Sequence, residues 1–437
     1  MKVTTSLFRS IITAAVAVAP FAQATATRSV IGHPTLPTDT SALTNITHVV
    51  LSFADPAFLA NGTAQPNFPF TDIAALRQKL DAKAKVGVAI GGWEKSPGFS
   101  SVTVPAMRQA FISNTKNMVD TLGLDFIDID WEYPGGDGID YVGKANDTKT
   151  LEIQIFPQLL EELKAALGAD TELSVAVAGR LDDIAVYGEN KTNTQRIWDA
   201  VDFVNVMSYD LMNRRDSATL HSSSVRGANA TVDKYTSELN LAASKINLGF
   251  PLYAKYFQLT QGDGCAGPLG CSIIAAEAAD GSDTYTSDYV TFEAHNLVSQ
   301  PLTAENGSCG ANSPETRCSG DLCCSRFGNC GSTEDFCNHM CLRAFGRCNV
   351  GYEPDMVKSF QTALSNGKKD DVEGAMWYID EVESRRFFWT WDSVEIIERK
   401  VKEVVNARGL GGVMAWSLGE DSPDGARIKA INAALSM

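Results

Sequence analysis

The sequence predicts an α/β fold, a (β/α)8 TIM barrel with an α+β insertion between strands 7 and 8. From residue 48 onward, apolar strand-like segments alternate with amphipathic helical segments, which implies right-handed crossovers and a parallel sheet. Counting a short first strand gives eight strands, the number that closes such a barrel. An open doubly wound sheet is the alternative, but no glycine-rich phosphate motif follows the first strand.

Each strand is assigned from a short run of apolar and β-branched residues. Between strands the apolar residues keep a helical period, as from Met107 to Leu122, where Gly123 then ends the helix. The predicted strands are SVIG (29–32), HVVLSFA (48–54), KVGVAIGGW (85–93), LDFIDIDWE (124–132), ELSVAVA (172–178), VDFVNVMSYD (201–210), KINLGFPLY (245–253) and GGVMAWS (411–417).

The regular spacing breaks once, between Tyr253 and Gly411, where a long segment separates the last two strands. It holds a dense group of cysteines and the aromatic segment MWYIDEVESRRFFWTW (376–391). The predicted ranges are a signal peptide at 1–24, the first part of the barrel at 25–257, an insertion at 258–393 with a cysteine-rich module at 309–348, and the last part of the barrel at 394–437.

The N-terminal residues are typical of a secretory signal peptide. Lys2 and Arg9 precede or interrupt an apolar run from residue 11 to 21, and the small-x-small sequence Ala22-Gln23-Ala24 follows. Ten cysteines also favour an oxidising compartment. We therefore expect a secreted glycoprotein, extracellular or associated with a cell wall, with glycosylation sequons at Asn45, Asn61, Asn146, Asn190, Asn229 and Asn306.

The chain has a formal net charge of −16, which repels nucleic acid and anionic lipid. Beyond the N-terminal segment, no apolar run approaches the roughly 20 residues that span a bilayer. We expect a monomer that binds neither nucleic acid nor membrane and has a neutral ligand.

The segment LDFIDIDWEYPGG (124–136) places acidic residues in an otherwise apolar strand. Because alternate strand residues share a face, Asp128, Asp130 and Glu132 point into the barrel, with Glu132 nearest the carboxyl-terminal rim where barrel enzymes carry out their chemistry. Crowded carboxylates raise one another's pKa, and a carboxylic acid with a raised pKa suits general-acid cleavage of a glycosidic bond. A divalent-cation site and a purely structural network are the alternatives.

The same segment, DFIDIDWE, matches the DxxDxDxE signature of the family-18 glycoside hydrolases, the chitinase group, and YPGG is a typical continuation. The insertion resembles that of secreted fungal members. Further segments resemble the family in the same order along the chain: AIGGW (89–93), NVMSYD (205–210), LGFPLYAKYF (248–257) and GVMAWSLGED (412–421).

The resemblance implies cleavage with retention, assisted by the substrate. Glu132 would protonate the leaving oxygen while the sugar's own 2-acetamido oxygen attacks the anomeric carbon to form an oxazolinium ion. Asp130 would orient the acetamido N–H, Asp128 would hold Asp130 and share its proton, and Tyr209 would hydrogen-bond the acetamido oxygen. Glu132 would then act as the base on water.

The resemblance also implies a set of substrate-binding residues, with neither cofactor nor metal. Met207 and Asp210 would line the acetamido pocket, and Tyr253 is placed with them. Trp416 would form the apolar floor under the sugar, and Trp93 would offer a sugar platform. Core packing is the alternative for both tryptophans.

Two residues depart from the family pattern. Ala89 replaces a serine whose hydroxyl could bond the inner aspartates, and Phe126 replaces a glycine. We expect these changes to affect the pKa values and the pH optimum.

Residues 309–348 read C-x8-C-x4-CC-x5-C-x6-C-x3-C-x6-C. Eight cysteines in a short secreted segment favour disulfides over zinc, although spacing alone does not choose among the pairings. The pattern resembles a hevein-like chitin-binding module, with Ser325, Phe327 and Phe336 at the sugar-binding positions and Asn329 where another aromatic is usual. We expect weak binding, and loss of binding is the alternative. The resemblance implies the pairs Cys309–Cys324, Cys318–Cys330, Cys323–Cys337 and Cys341–Cys348, and then Cys265–Cys271.

Taken together, the sequence predicts a secreted, endo-acting chitinase that binds chitin and N-acetylglucosamine oligomers. Two alternatives remain at this stage. One is an endo-β-N-acetylglucosaminidase acting on N-glycans, and the other is a non-catalytic chitin lectin or toxin subunit.

Overall fold

A computed structural model describes residues 26–31, 40–66, 68–69, 71–262, 264–297, 307–310, 317–320, 322–338, 341–342, 345–346, 348 and 356–436. The predicted signal peptide at 1–24 and the sequon at Asn306 lie outside these residues.

The strands observed in the described residues are β1 (Ala26–Ile31), β2 (His48–Ala54), β3 (Lys85–Gly91), β4 (Phe126–Asp130), β5 (Glu172–Ala178), β6 (Phe203–Met207), β7 (Ile246–Pro251), β8 (Tyr253–Gln258), β9 (Ser287–Thr291), β10 (Cys323–Cys324), β11 (Cys330–Gly331), β12 (Lys368–Asp370), β13 (Ala375–Val382), β14 (Arg385–Trp391) and β15 (Gly412–Trp416).

The α-helices of the same residues surround the barrel or belong to the insertion, and none of them is long and apolar enough to cross a membrane. They are α1 (Pro56–Asn61), α2 (Ile73–Arg77), α3 (Pro105–Leu122), α4 (Thr150–Leu167), α5 (Leu181–Gly188), α6 (Lys191–Ala200), α7 (Val225–Asp233), α8 (Ala294–Leu297), α9 (Glu334–Cys337), α10 (Met356–Asn366), α11 (Val394–Lys400) and α12 (Ala426–Leu435).

Eight parallel strands close into a barrel in the order β1-β15-β7-β6-β5-β4-β3-β2. The barrel prediction is confirmed, and the open doubly wound sheet is excluded. The main core lies between the strands and the outer helices, where outward-facing strand residues such as Ile127 and Ile129 meet helical residues such as Leu159 and Leu163. This burial explains why the sequence alternates apolar strands with amphipathic helices.

The insertion carries an antiparallel sheet in the order β12-β13-β14-β8-β9. This sheet begins at Tyr253, because barrel strand β7 ends at Pro251 and β8 pairs with β9 and β14. The predicted strand 245–253 therefore runs two residues past the end of β7 and includes Tyr253, the first residue of the second sheet. The predicted boundary at 258 falls at the end of β8 rather than before the insertion. Tyr256, Trp389 and Phe360 form its separate aromatic core.

The packing at the lower end of the barrel interior shows how Phe126, which stands where the family pattern has glycine, is accommodated. The Phe126 ring lies beside Phe203, at 6.2 Å between ring centroids, and meets His48 edge-on at 5.3 Å. Its partner across the strand pair is Gly87. A Cβ atom at Gly87 would lie 2.6 Å from the Phe126 ring. Phe126 on β4 thus fits because its partner on β3, Gly87, has no side chain.

We predict that Gly87→Ala destabilises the fold by about 1–3 kcal/mol, because the added methyl overpacks a closed interior. Chemical denaturation measures the effect. Gly188→Ala is the matched control, since a Cβ there meets nothing within 4 Å. The double variant Gly87→Ala/Phe126→Leu should recover part of the loss, and equal stability of Gly87→Ala and wild type would contradict this packing.

Candidate active site

The acidic side chains of β4 point into the barrel, as alternation along the strand predicts. Asp128 is 4% exposed and Asp130 is 5% exposed. Glu132 follows the strand at its carboxyl end and is partly exposed. The three residues therefore run from the closed interior to the open rim, where a ligand has access.

Asp128 is held by polar side chains of the neighbouring strands. Ser174 on β5 donates a hydrogen bond of 2.5 Å to Asp128 Oδ1, and Asn205 on β6 donates one of 3.0 Å to the same oxygen. Asn247 on β7 donates in turn to the Asn205 side-chain oxygen at 2.9 Å. These donors supply the hydrogen bonding that an alanine at position 89 does not, so Asp128 stays partnered despite that departure.

Asp130 lies one layer above Asp128 and is differently placed. Its Oδ1 atom is buried and accepts no hydrogen bond from the described residues. Burial, followed by the charges of Glu132 and Asp128, raises the pKa of Asp130 well above its usual range. A buried acceptor without a donor is costly, so this oxygen is suited to a hydrogen-bond donor from a ligand or to a shared proton.

Glu132 has the pKa expected of a general acid. Burial raises the pKa of its carboxyl to about 7, with further contributions from Asp210 and Asp183, while hydrogen bonds from Tyr133 and the Trp93 backbone lower it. Ser96 fixes the backbone here, because the Glu132 amide donates to Ser96 Oγ at 2.7 Å. Near neutral pH, Glu132 can therefore carry a proton and release it.

A second acidic group, Asp183 at the start of α5, acts on Glu132 from the wall of the cleft. Arg215 lies 3.5 Å from Asp183 and 3.3 Å from Asp137 in the loop after β4. The same guanidinium lies 5.0 Å from the centroid of the Tyr141 ring. Arg215 thus joins loops that follow β4, β5 and β6 on one side of the acid.

The predicted acetamido pocket is assembled at the end of β6. Tyr209 and Met207 are buried against Met414, and the Tyr209 hydroxyl lies 3.8 Å from the Met414 sulfur. Gly249 on β7 lets the ring approach, because a Cβ atom there would lie 2.8 Å from Tyr209 Cε1. Burial, followed by the negative charges of Asp130 and Glu132, raises the pKa of Tyr209 well above its usual range, so the phenol stays neutral and can donate a hydrogen bond.

Asp210 lies at the rim and connects the barrel to the second sheet. The Tyr253 hydroxyl donates to Asp210 Oδ1 at 2.8 Å, and Lys255 Nζ lies 3.1 Å from Asp210 Oδ2. Tyr253 is itself buried, with its ring against Tyr209 and Tyr289. Tyr253 is therefore better placed to support Asp210 and Tyr209 than to make broad contact with a sugar.

The predicted sugar-stacking tryptophans lie at the ends of their strands. Trp416, at the end of β15, is partly exposed and stacks on Phe53 at 5.4 Å between ring centroids. Trp93 follows β3 and is also partly exposed. Both rings keep accessible surface, which a pure core role does not need.

A divalent-cation site would need oxygens of several carboxylates to lie close together. Among the residues that the structure describes, Asp128, Asp130 and Glu132 do not bring three carboxylate oxygens within 4.8 Å of one another. The group that does meet this criterion is Cys309, Cys318 and Cys324, and these cysteines are disulfide-bonded.

Comparison with known proteins identifies the family of the chain. The family model described as "Glycosyl hydrolases family 18" matches residues 21–421. The chain belongs to glycoside hydrolase family 18. Chitotriosidase-1 of Mus musculus is 28% identical over 228 residues, which cover 49% of this chain and 48% of the mouse protein. The matched region thus spans about half the length of that relative.

Solved structures share the fold. A family-18 chitinase from Cycas revoluta, in complex with (GlcNAc)3, has a TM-score of 0.62 at 17% identity, covering 94% of this chain and 99% of the cycad chain. A chitinase-like agglutinin from Robinia pseudoacacia has a TM-score of 0.60 at 17% identity, covering 93% and 99%. At such identities the likeness shows the family-18 barrel and no more.

The cysteine-rich module has the disulfides that its resemblance implies, Cys309–Cys324, Cys318–Cys330, Cys323–Cys337 and Cys341–Cys348, and outside the module Cys265 and Cys271 bridge each other as expected. Of its predicted binding residues, Phe327 is 59% exposed, whereas Ser325 is buried with its hydroxyl accepting from the Asn329 amide. Phe336 is partly exposed and packs among the disulfides. Phe327 is therefore the ring best placed for a ligand.

Sequence reasoning missed several residues of the site. Ser174 and Asn205 sit on interior-facing positions of β5 and β6, so a polar residue amid an apolar alternation could have found them. Ser96 follows β3 and Asp183 follows β5, and the sequence around them does not mark either residue as part of a site. Their roles come from contacts between distant loops.

We predict that Asp183→Asn lowers the pKa of Glu132 below about 7, because removal of a nearby negative charge makes the ionised carboxylate less unfavourable. Titration of ¹³C-labelled glutamate by NMR measures this pKa without any assay of turnover. Asp182→Asn is the matched control, since this neighbour is 81% exposed and is not among the main causes of the raised Glu132 pKa. A lowered pKa in the control, or none in Asp183→Asn, would refute the assignment.

Proposed function

We propose that the chain is a secreted chitinase that hydrolyses β-1,4 bonds between N-acetylglucosamine units with retention, by endo-acting, substrate-assisted catalysis. The observation that carries the proposal is a protonatable Glu132 at the barrel rim beside a buried Asp130, one oxygen of which has no hydrogen-bond partner among the described residues. Secretion is proposed from the N-terminal sequence and the disulfides.

The acid step is supported by the pKa of Glu132. With a pKa of about 7, this carboxyl is protonated in an appreciable fraction of molecules near neutral pH. It can give its proton to a glycosidic oxygen and take one from water in the second step. Because the proton must be present in the first step, we expect activity to fall as pH rises through the pKa of Glu132.

The nucleophile is proposed to be the substrate's acetamido oxygen. Retention by a protein nucleophile needs a second carboxylate about 5–5.5 Å away across the bond, whereas Asp130 and Glu132 project from the same strand segment. Asp130 Oδ1 is buried and open to an N–H donor, which is what an acetamido group offers. Donation from that N–H to Asp130 would leave the acetamido oxygen free to attack, with Tyr209 as its hydrogen-bond donor.

The rest of the cleft would bind the sugar by its apolar and polar faces. Trp416, stacked on Phe53, offers a flat apolar surface of the kind that packs against a sugar ring. Asp210 is exposed enough to accept from a sugar hydroxyl while Tyr253 and Lys255 hold its position. Met207 closes the pocket beneath the acetamido methyl.

Glu132→Gln is expected to lower kcat on chitin oligomers by about 10²–10⁴-fold, because the amide cannot donate an acidic proton. Release of N-acetylglucosamine oligomers from chitin hexamer, followed by mass spectrometry, measures it. Glu161→Gln, on the outer helix α4, is a control of the same chemistry. Activity of Glu132→Gln close to that of wild type would remove the acid assignment.

A substrate without N-acetyl groups is expected to resist cleavage. Fully deacetylated hexamer has the same linkage but lacks the carbonyl oxygen that would attack the anomeric carbon. Its turnover should fall to background under conditions in which the acetylated hexamer is consumed. Comparable rates on the two hexamers would exclude substrate assistance.

One of the solved structures that share this fold is described as a chitinase-like agglutinin, so binding alone would not establish the proposed reaction. A wild-type chain that binds hexamer without releasing products would favour the lectin alternative. Faster release of glycans from a glycoprotein than of products from chitin, offered side by side, would favour the endo-β-N-acetylglucosaminidase alternative.

A further inference from the structure

The exposed ring of the cysteine-rich module is connected to the acetamido pocket by a continuous series of side-chain contacts. Arg326, next to Phe327, has its guanidinium 4.9 Å from the centroid of the Phe327 ring and 5.1 Å from that of Tyr289. Tyr289 meets Tyr253 at 5.3 Å, and Tyr253 meets Tyr209 at 6.3 Å between ring centroids. No step between neighbouring groups is longer than 6.3 Å.

Arg326 is anchored on the edge strand of the second sheet. Its guanidinium pairs with Asp288, and the two side chains are 30% and 14% exposed. Asp288 and Tyr289 are successive residues of β9, so their side chains leave opposite faces of the strand. Contact with both therefore restrains Arg326 in position and in orientation, more firmly than an ion pair in open solvent would.

Strand β9 is in turn bound to the strand that leaves the barrel. It pairs with β8 so that Tyr289 stands opposite Lys255 and Thr291 stands opposite Tyr253. Lys255 and Tyr253 are the residues that hold Asp210 at the rim. The face of the sheet that carries Tyr289 thus continues directly into the wall of the candidate active site.

We propose that Arg326 fixes the module as an extension of the active-site cleft, so that Phe327 binds the same N-acetylated sugar chain whose end occupies the catalytic pocket. This inference rests on the proposed function for the identity of the ligand. Arg326 is a positioning residue, and Phe327 is the residue that contacts the sugar. A module that only tethers the enzyme to solid chitin would need no fixed link to β9.

The guanidinium covers one face of the Phe327 ring, and the ring is nevertheless 59% exposed. The exposed part of the ring that Arg326 does not cover is therefore available to a sugar. Asn329 is exposed and stands where such modules usually have a second aromatic residue. The module therefore lacks a complete aromatic site, and Phe327 would bind the sugar chain together with the cleft. This arrangement explains how a module with one well-exposed ring can contribute to binding.

The test measures binding of trimer and hexamer by calorimetry to the full chain carrying Glu132→Gln, so that neither oligomer is consumed. Addition of Phe327→Ala should weaken hexamer binding about fivefold, the order expected for one stacked ring, and should weaken trimer binding less. Arg326→Ala should act in the same direction. Both variants disable the same binding surface, the Phe327 ring. The double variant should therefore weaken hexamer binding no more than the stronger single variant does.

Two further variants separate positioning from simple stability. Arg326→Lys keeps the charge opposite Asp288 but loses the flat group between the two rings, so it should restore hexamer binding in part. Arg196→Ala removes an arginine ion-paired with Glu161 on the outer helices and should leave the hexamer-to-trimer ratio unchanged. If Arg326→Ala does not fold, the surface variant Phe327→Ala decides the question alone.

An unchanged hexamer-to-trimer ratio in Phe327→Ala would overturn the extension, as would strictly additive effects of the two single variants. Failure of the proposed function looks different. In that case wild type would release no products from hexamer, while the binding ratio would still respond to Phe327→Ala.

Discussion

Closing eight parallel strands into a barrel turns alternate residues of each strand toward an interior that side chains fill and water does not. A carboxylate in that space must be partnered or must hold a proton. Asp128 and Asp130 on β4, and Glu132 two residues after the strand, lie along this gradient. Asp128 is partnered from β5 and β6, and one oxygen of Asp130, whose pKa is raised, accepts no hydrogen bond from the residues that the structure describes. Burial raises the pKa of Glu132 at the rim to about 7.

The barrel also gathers the residues that adjust this gradient. The ends of parallel strands meet at one rim, so the loops after β3, β4, β5 and β6 converge although they are far apart in the chain. Ser96 holds the Glu132 backbone, and Arg215 joins Asp183 to Asp137. The first contact fixes the backbone of Glu132, and the second holds Asp183, whose charge raises the pKa of Glu132. The chemistry of one strand therefore depends on several loops.

The insertion is built into the same rim rather than attached to it. The chain passes from β7 to β8 within two residues, from Pro251 to Tyr253, and the first residue of the new sheet already holds Asp210. The sheet then carries the contacts onward to Arg326. Short connections of this kind leave little freedom between neighbouring elements, so the second sheet and the candidate pocket share one framework.

Periodicity and motif spacing determined, from the sequence alone, the barrel, the place of the insertion, and the face on which Asp128, Asp130 and Glu132 lie, because these follow from local alternation along a strand. The pKa of Glu132, the donors of Asp128, the compensation of Phe126 by Gly87 and the link from Phe327 to Tyr209 required the tertiary structure. Each depends on burial and on contacts between residues distant in the chain, and such contacts leave no local pattern.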